Sequence, residues 1–191
     1  AAVVLVADQS VERDRRDERQ PLFCPSGGCA LYSKKLLEAV KTKDCFFDPL
    51  FYAYTEDLDL GFRARLLDFK ASYAPQAIVF HKGSAATSKL SDFAVYHTYR
   101  NLLWTQGKNF PLALLLWQSP WLAVGWLFLF ALYTLKGRPG VIFKAFLDGV
   151  LGMRFIYKRH RQIQTRRTVS YKTILAWFAS GLFPRSYLGY K

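Results

Sequence analysis

The sequence predicts an α/β fold with too few strands to complete a sheet. Residues 1–7 (AAVVLVA) form a short apolar run of the kind found in buried strands. Residues 71–81 (ASYAPQAIVFH) contain two more strand-like runs, which Pro75 separates. Other apolar residues recur mostly at helical spacing, so the predicted order is strand, loop, helix, strand and then further helices.

Two loops and a capped helix follow the first strand. Residues 12–20 (ERDRRDERQ) carry no apolar periodicity, which predicts an exposed loop, and the proline and glycines of residues 25–28 predict a tight turn. Ser33 has a side chain suited to an N-cap. The helix that it begins would place three apolar residues on one face, namely Leu36, Leu37 and Val40.

Three more elements are predicted before the apolar part of the chain. The aromatic-rich stretch 44–54 contains a turn at Asp48 and Pro49. The next helix is indicated by apolar residues at helical spacing: Leu60, Ala64 and Leu67. A further helix is indicated by four large residues: Tyr96, Tyr99, Leu103 and Trp104.

The positive charge of the chain is concentrated in its last part. The 191 residues carry a formal net charge of +13, and residues 136–191 supply twelve Lys or Arg against one acid, Asp148. Residues 1–135 are therefore nearly neutral, and the apolar fraction of 51% excludes a disordered chain. The composition predicts a folded body with a basic tail that favours anionic surfaces.

Residues 54–66 (YTEDLDLGFRARL) place three acids close together, and two interpretations apply. Carboxylates in the first turn of a helix suit the positive end of its dipole, with Asp59 as a cap that also pairs with Arg63 at i, i+4. Alternatively, repulsion between Glu56 and Asp57 raises the proton affinity of one of them, which suits a general base.

A longer stretch, SGGCALYSKKLLEAV…CFFDPLFYAYTEDLDLGFRARLLDFKASYAPQAIVFHKGSAATS, resembles the C-terminal half of family 2 glycosyltransferases, particularly bacterial rhamnosyltransferase-like members. The likeness is continuous over residues 21–110 and weaker to residue 170. It implies that residues 1–109 are the C-terminal, acceptor-side half of an incomplete GT-A (Rossmann-like) domain. The implied reaction is the inverting transfer of a sugar, rhamnose being one candidate, from a nucleotide-diphosphate sugar.

The resemblance also implies roles for individual residues. The second acid of the Glu-Asp pair is the general base of the family, which corresponds to Asp57, and Glu56 would shape the acceptor site. Asp59 and Arg63 are kept as a structural cap and its ion pair. The glycines at 27 and 28 would let the backbone approach the donor sugar or the acceptor, although an ordinary tight turn explains Gly27 and Gly28 equally well.

A metal site is implied next to the last predicted strand. In similar enzymes a histidine at the position of His81 completes the coordination of a divalent cation, Mg²⁺ or Mn²⁺, on the donor diphosphate. A lone histidine after a strand is also common as an ordinary structural residue. Lys82, Ser84 and Thr87 belong to a loop whose cation, hydroxyls and backbone N–H groups suit a diphosphate.

The nucleotide-binding half of the family has no counterpart in this chain. That half ends in an Asp-x-Asp motif after an apolar strand, whereas Asp8, Asp14 and Asp17 have neither the spacing nor the strand. We therefore expect activity from a longer parent protein, with this chain alone inactive.

Residues 110–191 are predicted to associate with a membrane. Residues 110–135 are uncharged, but Ser119 and Pro120 predict a new helix start. The helix from there would be only ~24 Å long, short of the ~30 Å hydrocarbon core. The basic tail and the nucleotide-sugar donor both indicate the cytoplasmic face of the plasma (inner) membrane. A monotopic or re-entrant helical pair fits, with residues 154–167 on anionic headgroups, and the alternative is a helix packed against the missing half.

Such an enzyme would act on a polyprenyl-linked or polysaccharide acceptor in cell-surface glycan synthesis. A non-catalytic basic module that binds membrane surfaces or nucleic acid is the rival interpretation, and an inactive glycosyltransferase remnant is a third. The acids of residues 54–59 would repel nucleic acid, so no nucleic-acid partner is expected.

Overall fold

The computed structural model describes residues 22–42, 45–72, 74 and 91–178. The chain forms six α-helices in these ranges: α1 (Lys34–Val40), α2 (Glu56–Leu66), α3 (Asp92–Asn109), α4 (Leu112–Leu135), α5 (Pro139–Arg166) and α6 (Tyr171–Ala176). Pairing of extended segments within them is limited to two isolated antiparallel bridges, Leu22 with Ala71 and Thr42 with Cys45.

The prediction of an α/β fold, and with it that of an incomplete GT-A (Rossmann-like) domain, is wrong for the described part of the chain. Helices account for 68% of these residues, and no strand occurs among them. The physical reason is that the apolar side chains of the described residues pack mainly between helices, which bury them without a sheet. The predicted strand of residues 1–7 and most of residues 71–81 lie outside the described ranges.

Helices α1 and α2 form the first part of the core. The Ser33 hydroxyl accepts a hydrogen bond from the Leu36 N–H at 3.2 Å, which confirms the predicted N-cap. Leu36 and Val40 are buried against Leu60 and Ala64 of α2, as their helical spacing predicts. This contact fixes α2, which carries the three acids, against α1.

Helices α3 and α5 make the most extensive helix–helix contact, and glycines allow it. A Cβ added at Gly152 would lie 2.5 Å from the Trp104 ring, and one added at Gly149 would lie 2.9 Å from Leu103. The Trp104 indole donates a hydrogen bond to the Gly149 carbonyl at 2.9 Å. The two helix backbones therefore approach each other closely, with the bulk of Trp104 filling the space that the glycines leave.

The apolar helix α4 runs without interruption through Pro120, so the prediction of a new helix at Ser119 and Pro120 is wrong. A proline inside a helix leaves the carbonyl four residues earlier without its N–H donor. Here that carbonyl belongs to Leu116, and the Ser119 hydroxyl donates to it at 2.8 Å. The 24 residues of α4 make it ~36 Å long, which exceeds the ~30 Å hydrocarbon core.

Helix α4 is attached to the rest of the protein at both ends. Leu114 is buried in a cluster with Ile163 of α5, whereas Tyr133 is buried with Val95 of α3 and Ile142 of α5. By length and composition α4 could cross a membrane, and only 6% of its most apolar window is buried. Its exposed large residues include a stripe at helical spacing: Trp117, Trp121, Val124, Phe128 and Leu135.

Candidate functional site

The segment that leads into α2 has an unusual backbone. Tyr52, Tyr54 and Thr55 have φ angles of 63°, 63° and 62°, in the left-handed region that residues with a Cβ rarely adopt. Each such residue costs roughly 1–3 kcal/mol, and they persist only where surrounding contacts hold them. Residues of this kind cluster at functional sites, and these three directly precede Glu56 and Asp57.

Asn101 of α3 supplies the contacts that hold this segment. Its amide nitrogen lies 2.9, 2.7 and 2.8 Å from the carbonyl oxygens of Phe51, Ala53 and Tyr54. Arg100 fixes the orientation of the amide by donating to its oxygen at 2.8 Å, and it also donates to the Phe51 carbonyl. Helix α3 therefore clamps the strained residues 52–55, which in turn determine where α2 begins.

Loss of the Asn101 amide should release this segment. We expect Asn101→Ala to lower the free energy of unfolding by about 2–3 kcal/mol, because it leaves partly buried carbonyls without a donor. Asn101→Asp has nearly the same volume but no N–H donor, so it should be as damaging. Gln106→Ala, at a half-buried position on α3, is the control. Urea unfolding measures all three, and an Asn101→Asp variant as stable as the control would contradict the clamp.

Asp57 is held in a defined orientation at the start of α2. One carboxylate oxygen accepts the Gly27 N–H at 2.7 Å, and the other accepts the Leu58 N–H at 2.7 Å. Each oxygen has a second lone pair beyond the one used in these contacts. The side chain is half-buried, so the carboxylate is oriented by the backbone and still reachable from solvent.

The structure brings Gly27 to Asp57, 30 positions along the chain. A Cβ at Gly27 would lie 3.3 Å from the Asp57 carboxylate oxygen, which is tighter than ordinary contact. A residue with a side chain at position 27 would therefore require the Asp57 carboxylate to shift by a few tenths of an ångström. Gly28 is exposed, and its N–H donates to the Ser26 hydroxyl at 3.4 Å rather than to an acid of α2.

Glu56 lies beside Asp57 in a drier environment. One of its carboxylate oxygens is buried and has no hydrogen-bond partner. Burial is the main cause that raises the pKa of Glu56; a hydrogen bond to its backbone opposes the shift, and the charge of Asp57 adds to it. The site therefore contains two adjacent carboxyl groups in different surroundings, and burial raises the pKa of Glu56 above its ordinary value.

The raised pKa of Glu56 has a consequence for stability. Between pH 4.5, the ordinary pKa of the group, and the raised pKa of Glu56 in the folded state, the folded state keeps the Glu56 proton while the unfolded state loses it. The free energy of unfolding therefore falls as the pH rises through this interval. We expect Glu56→Gln, which cannot ionise, to be more stable than wild type at neutral pH and to lose this advantage near pH 4. Thermal unfolding across that interval checks this, with exposed Glu38→Gln as control. A constant difference between Glu56→Gln and wild type would contradict it.

Asp59 points into the protein, away from this pair. Its carboxylate forms the ion pair with Arg63 at 2.9 Å across one helical turn, and both side chains are buried. Lys108 of α3 donates to Asp59 and to Asp48 at 2.8 Å each. Asp59 does not occupy the cap position of α2, which Thr55 holds, and instead it belongs to a buried charge network. The members of this network are Asp48, Asp59, Arg63, Lys108, Asn109 and Arg159.

The buried charge network connects the loop that contains Asp48, which precedes the acid pair, to α2, α3 and α5. Burial alone would raise the pKa of Asp48, but the charge and hydrogen bond of Lys108, with help from Arg159, hold it below its usual value. Arg63 also donates to the carbonyls of Val40 and Phe46 at 2.6 Å each. Buried positive and negative groups are thus paired and hydrogen-bonded throughout, as their burial requires.

Four of the predicted site residues, His81, Lys82, Ser84 and Thr87, lie outside the described residues. Within the described ranges, no group of three or more His, Cys, Asp or Glu is arranged to hold a metal ion. The sequence reasoning missed Asn101, Arg100, Asp48 and Lys108. The only sequence signal for Arg100, Asn101 and Lys108 is that polar residues interrupt the apolar helical face of residues 92–109, which is a weak one. The sequence predicts Asp48 only as a turn residue.

No protein-family model, curated protein or solved structure matches this chain. A functional assignment therefore depends on the motif residues and on the geometry around Asp57.

Proposed function

We propose that this chain is the acceptor-side part of an inverting glycosyltransferase. It would transfer a sugar, rhamnose being one candidate, from a nucleotide-diphosphate donor to a lipid-linked or polysaccharide acceptor in cell-surface glycan synthesis. The observation that carries the proposal is the Asp57 carboxylate, which the N–H groups of Gly27 and Leu58 orient while its side chain stays half exposed.

In this proposal Asp57 is the general base. An acceptor hydroxyl is a weak nucleophile until a positioned carboxylate takes its proton. As the proton moves to Asp57, the acceptor oxygen forms a bond to the anomeric carbon, and the bond from that carbon to the nucleotide diphosphate breaks. Attack from the side opposite the leaving group inverts the anomeric centre.

The surroundings of Asp57 support this role. A base must be held in place, and the two backbone N–H groups do so without occupying both lone pairs of either oxygen. The left-handed residues Tyr52, Tyr54 and Thr55 reduce the stability of the protein. They lie directly before Glu56 and Asp57, and Asn101 holds their segment in place. One oxygen of the neighbouring Glu56 is buried without a hydrogen-bond partner, so Glu56 would shape the acceptor site through its position beside Asp57.

The donor side of the proposal relies on the motif resemblance. A divalent cation, Mg²⁺ or Mn²⁺, would bind the donor diphosphate with His81 as one ligand, and Lys82, Ser84 and Thr87 would contact the phosphates. Such a cation would offset negative charge on the departing group. These residues lie outside the described ranges, and no step assigned to Asp57 involves them.

We also propose that the protein lies on the cytoplasmic face of the plasma (inner) membrane. Helix α4 is packed at both ends against α3 and α5, which carry buried charges such as Arg100 and Lys108. A crossing by α4 would draw those charges toward the hydrocarbon, at high cost. An in-plane position avoids this, with the exposed stripe of α4 in the lipid and the basic end of α5 near anionic headgroups.

The test uses the full-length gene product in lipid nanodiscs. Radiolabelled nucleotide-diphosphate sugars are incubated with polyprenyl-linked glycans and with polysaccharide acceptors, and the anomeric configuration of the product is determined by NMR. Transfer with inversion supports the proposal. Absence of transfer from every donor, or a product with retained configuration, would refute it.

A further inference from the structure

An exposed aromatic cluster lies on the strained segment next to the acid pair. The Tyr52 ring meets the Phe93 ring at 6.3 Å and the His97 ring at 5.6 Å, and Phe93 lies 4.4 Å from His97. Tyr54 joins the cluster through Phe93 at 6.2 Å. The Tyr52 residue is 79% exposed and Phe93 is 40% exposed, so the cluster faces solvent.

The core gains little from Tyr52. A tyrosine of such exposure buries little apolar area, yet its backbone adopts a left-handed conformation that a tyrosine disfavours. The carbonyls of Phe51 and Ala53, on either side of Tyr52, are both held by Asn101. The structure thus fixes the backbone on both sides of an aromatic ring that it leaves uncovered.

We infer that the Tyr52 ring, which Phe93 supports edge-on at an interplanar angle of 78°, forms a stacking surface for a pyranose ring of the acceptor. This inference rests on the proposed function and specifies its acceptor class as a saccharide. One face of a pyranose presents C–H groups, which are apolar and weakly positive. Such a face matches the negative face of an aromatic ring and displaces water from it.

The position of the cluster suits this role. Tyr52 and Asp57 are five positions apart, so their Cα atoms are separated by at most about 18 Å. A short oligosaccharide can bridge that distance, with one ring on Tyr52 and the reacting hydroxyl at Asp57. His97 packs against both exposed rings. Burial and the charge of Arg100 lower the pKa of His97, which favours an uncharged imidazole behind these rings.

The first experiment measures saccharide binding to the 191-residue chain in detergent by saturation-transfer NMR. The probe is cellobiose, and mannitol is the control because it has similar hydroxyls but no ring face. We expect Tyr52→Ala and Phe93→Ala each to weaken the cellobiose signal about fivefold, and Tyr52→Phe to leave it within about twofold. Phe143→Ala, at an aromatic position 59% exposed on α5, should have no effect.

Two results of this experiment would overturn the inference. One is a wild-type signal for cellobiose no stronger than that for mannitol. The other is a Tyr52→Ala variant that binds cellobiose as well as wild type does. Equal loss in Phe143→Ala would mean that the signal reports aromatic exposure to micelles, which would also overturn it.

A second experiment separates this inference from the proposed function. In the full-length protein, Tyr52→Ala should raise KM for a saccharide acceptor about fivefold and leave kcat nearly unchanged, since it removes binding shared by ground and transition states. If Asp57→Asn abolishes transfer while Tyr52→Ala leaves KM unchanged, the stacking surface alone is wrong. If Asp57→Asn transfers normally, the proposed function is wrong whatever Tyr52→Ala does.

Discussion

Asp57→Asn in the full-length protein should lose sugar transfer by about 10²–10⁴-fold, the usual contribution of a positioned general base. The asparagine keeps one oxygen that can accept the N–H of Gly27 or Leu58, but it cannot take a proton from an acceptor hydroxyl. The loss should therefore appear in kcat, with little change in KM for either substrate.

The same substitution at Asp68 provides a matched control. Asp68 is exposed just beyond α2 and has a left-handed backbone, which asparagine also tolerates. Asp68→Asn should retain full activity and an unchanged melting temperature. Asp57→Asn loses one of the two backbone hydrogen bonds, so some decrease in melting temperature is expected in either case. A merely structural Asp57 would give a different result, because kcat would then fall only in proportion to the folded fraction and would recover at lower temperature. Turnover of Asp57→Asn close to that of wild type would exclude Asp57 as the base.

Lys108→Met should destabilise the protein by about 3–5 kcal/mol, the cost of removing one partner of a buried charge pair. The Lys108 side chain is fully buried and contacts Asp48 and Asp59, both also buried. Methionine fills a similar volume, so the loss should come from the uncompensated carboxylates and not from a cavity. Urea unfolding at pH 7 measures the effect.

Lys158→Met is the control for Lys108→Met, since Lys158 is exposed on α5. It should change the free energy of unfolding by less than about 0.5 kcal/mol, as is usual for surface substitutions. The Lys108→Met defect should shrink at acid pH, where protonation of Asp48, whose pKa Lys108 holds below its usual value, removes an unpaired charge. A defect below about 1 kcal/mol at pH 7 would mean that Arg63 and Arg159 suffice to compensate both acids.

Local features of the chain could be predicted from the sequence because they depend on neighbours. The Ser33 cap and the Asp59–Arg63 contact each involve residues three or four positions apart, which helical geometry brings together. The helix that carries Trp104 follows in the same way from its periodicity. The prediction of a helix start at Pro120 failed because α4 continues through this residue. The Ser119 hydroxyl donates a hydrogen bond to the carbonyl that Pro120 leaves without an N–H donor.

Long-range features could not be predicted in this way. Lys108 meets Asp59 across 49 positions, and Asn101 meets the carbonyl of Tyr54 across 47. No local pattern specifies such contacts, and the left-handed backbone of Tyr52, Tyr54 and Thr55 is held by those of Asn101. The α/β prediction is wrong for the described residues because their apolar side chains pack mainly between helices. The runs on which it depended, residues 1–7 and most of residues 71–81, lie outside the described ranges.

The close packing of α5 on α3 connects the apolar helix α4 to the segment that holds Asp57. Gly152 meets Trp104 on the same helix whose Asn101 holds the segment before Asp57, and α4 is attached to this helix pair at both ends. If α4 rests in the lipid plane as proposed, rigid packing and not a flexible tether would set the height of the Asp57 carboxylate above the bilayer. We therefore expect the proposed enzyme to select acceptors by length. Chains whose terminal hydroxyl reaches the height of Asp57 would be used, and shorter chains would be rejected.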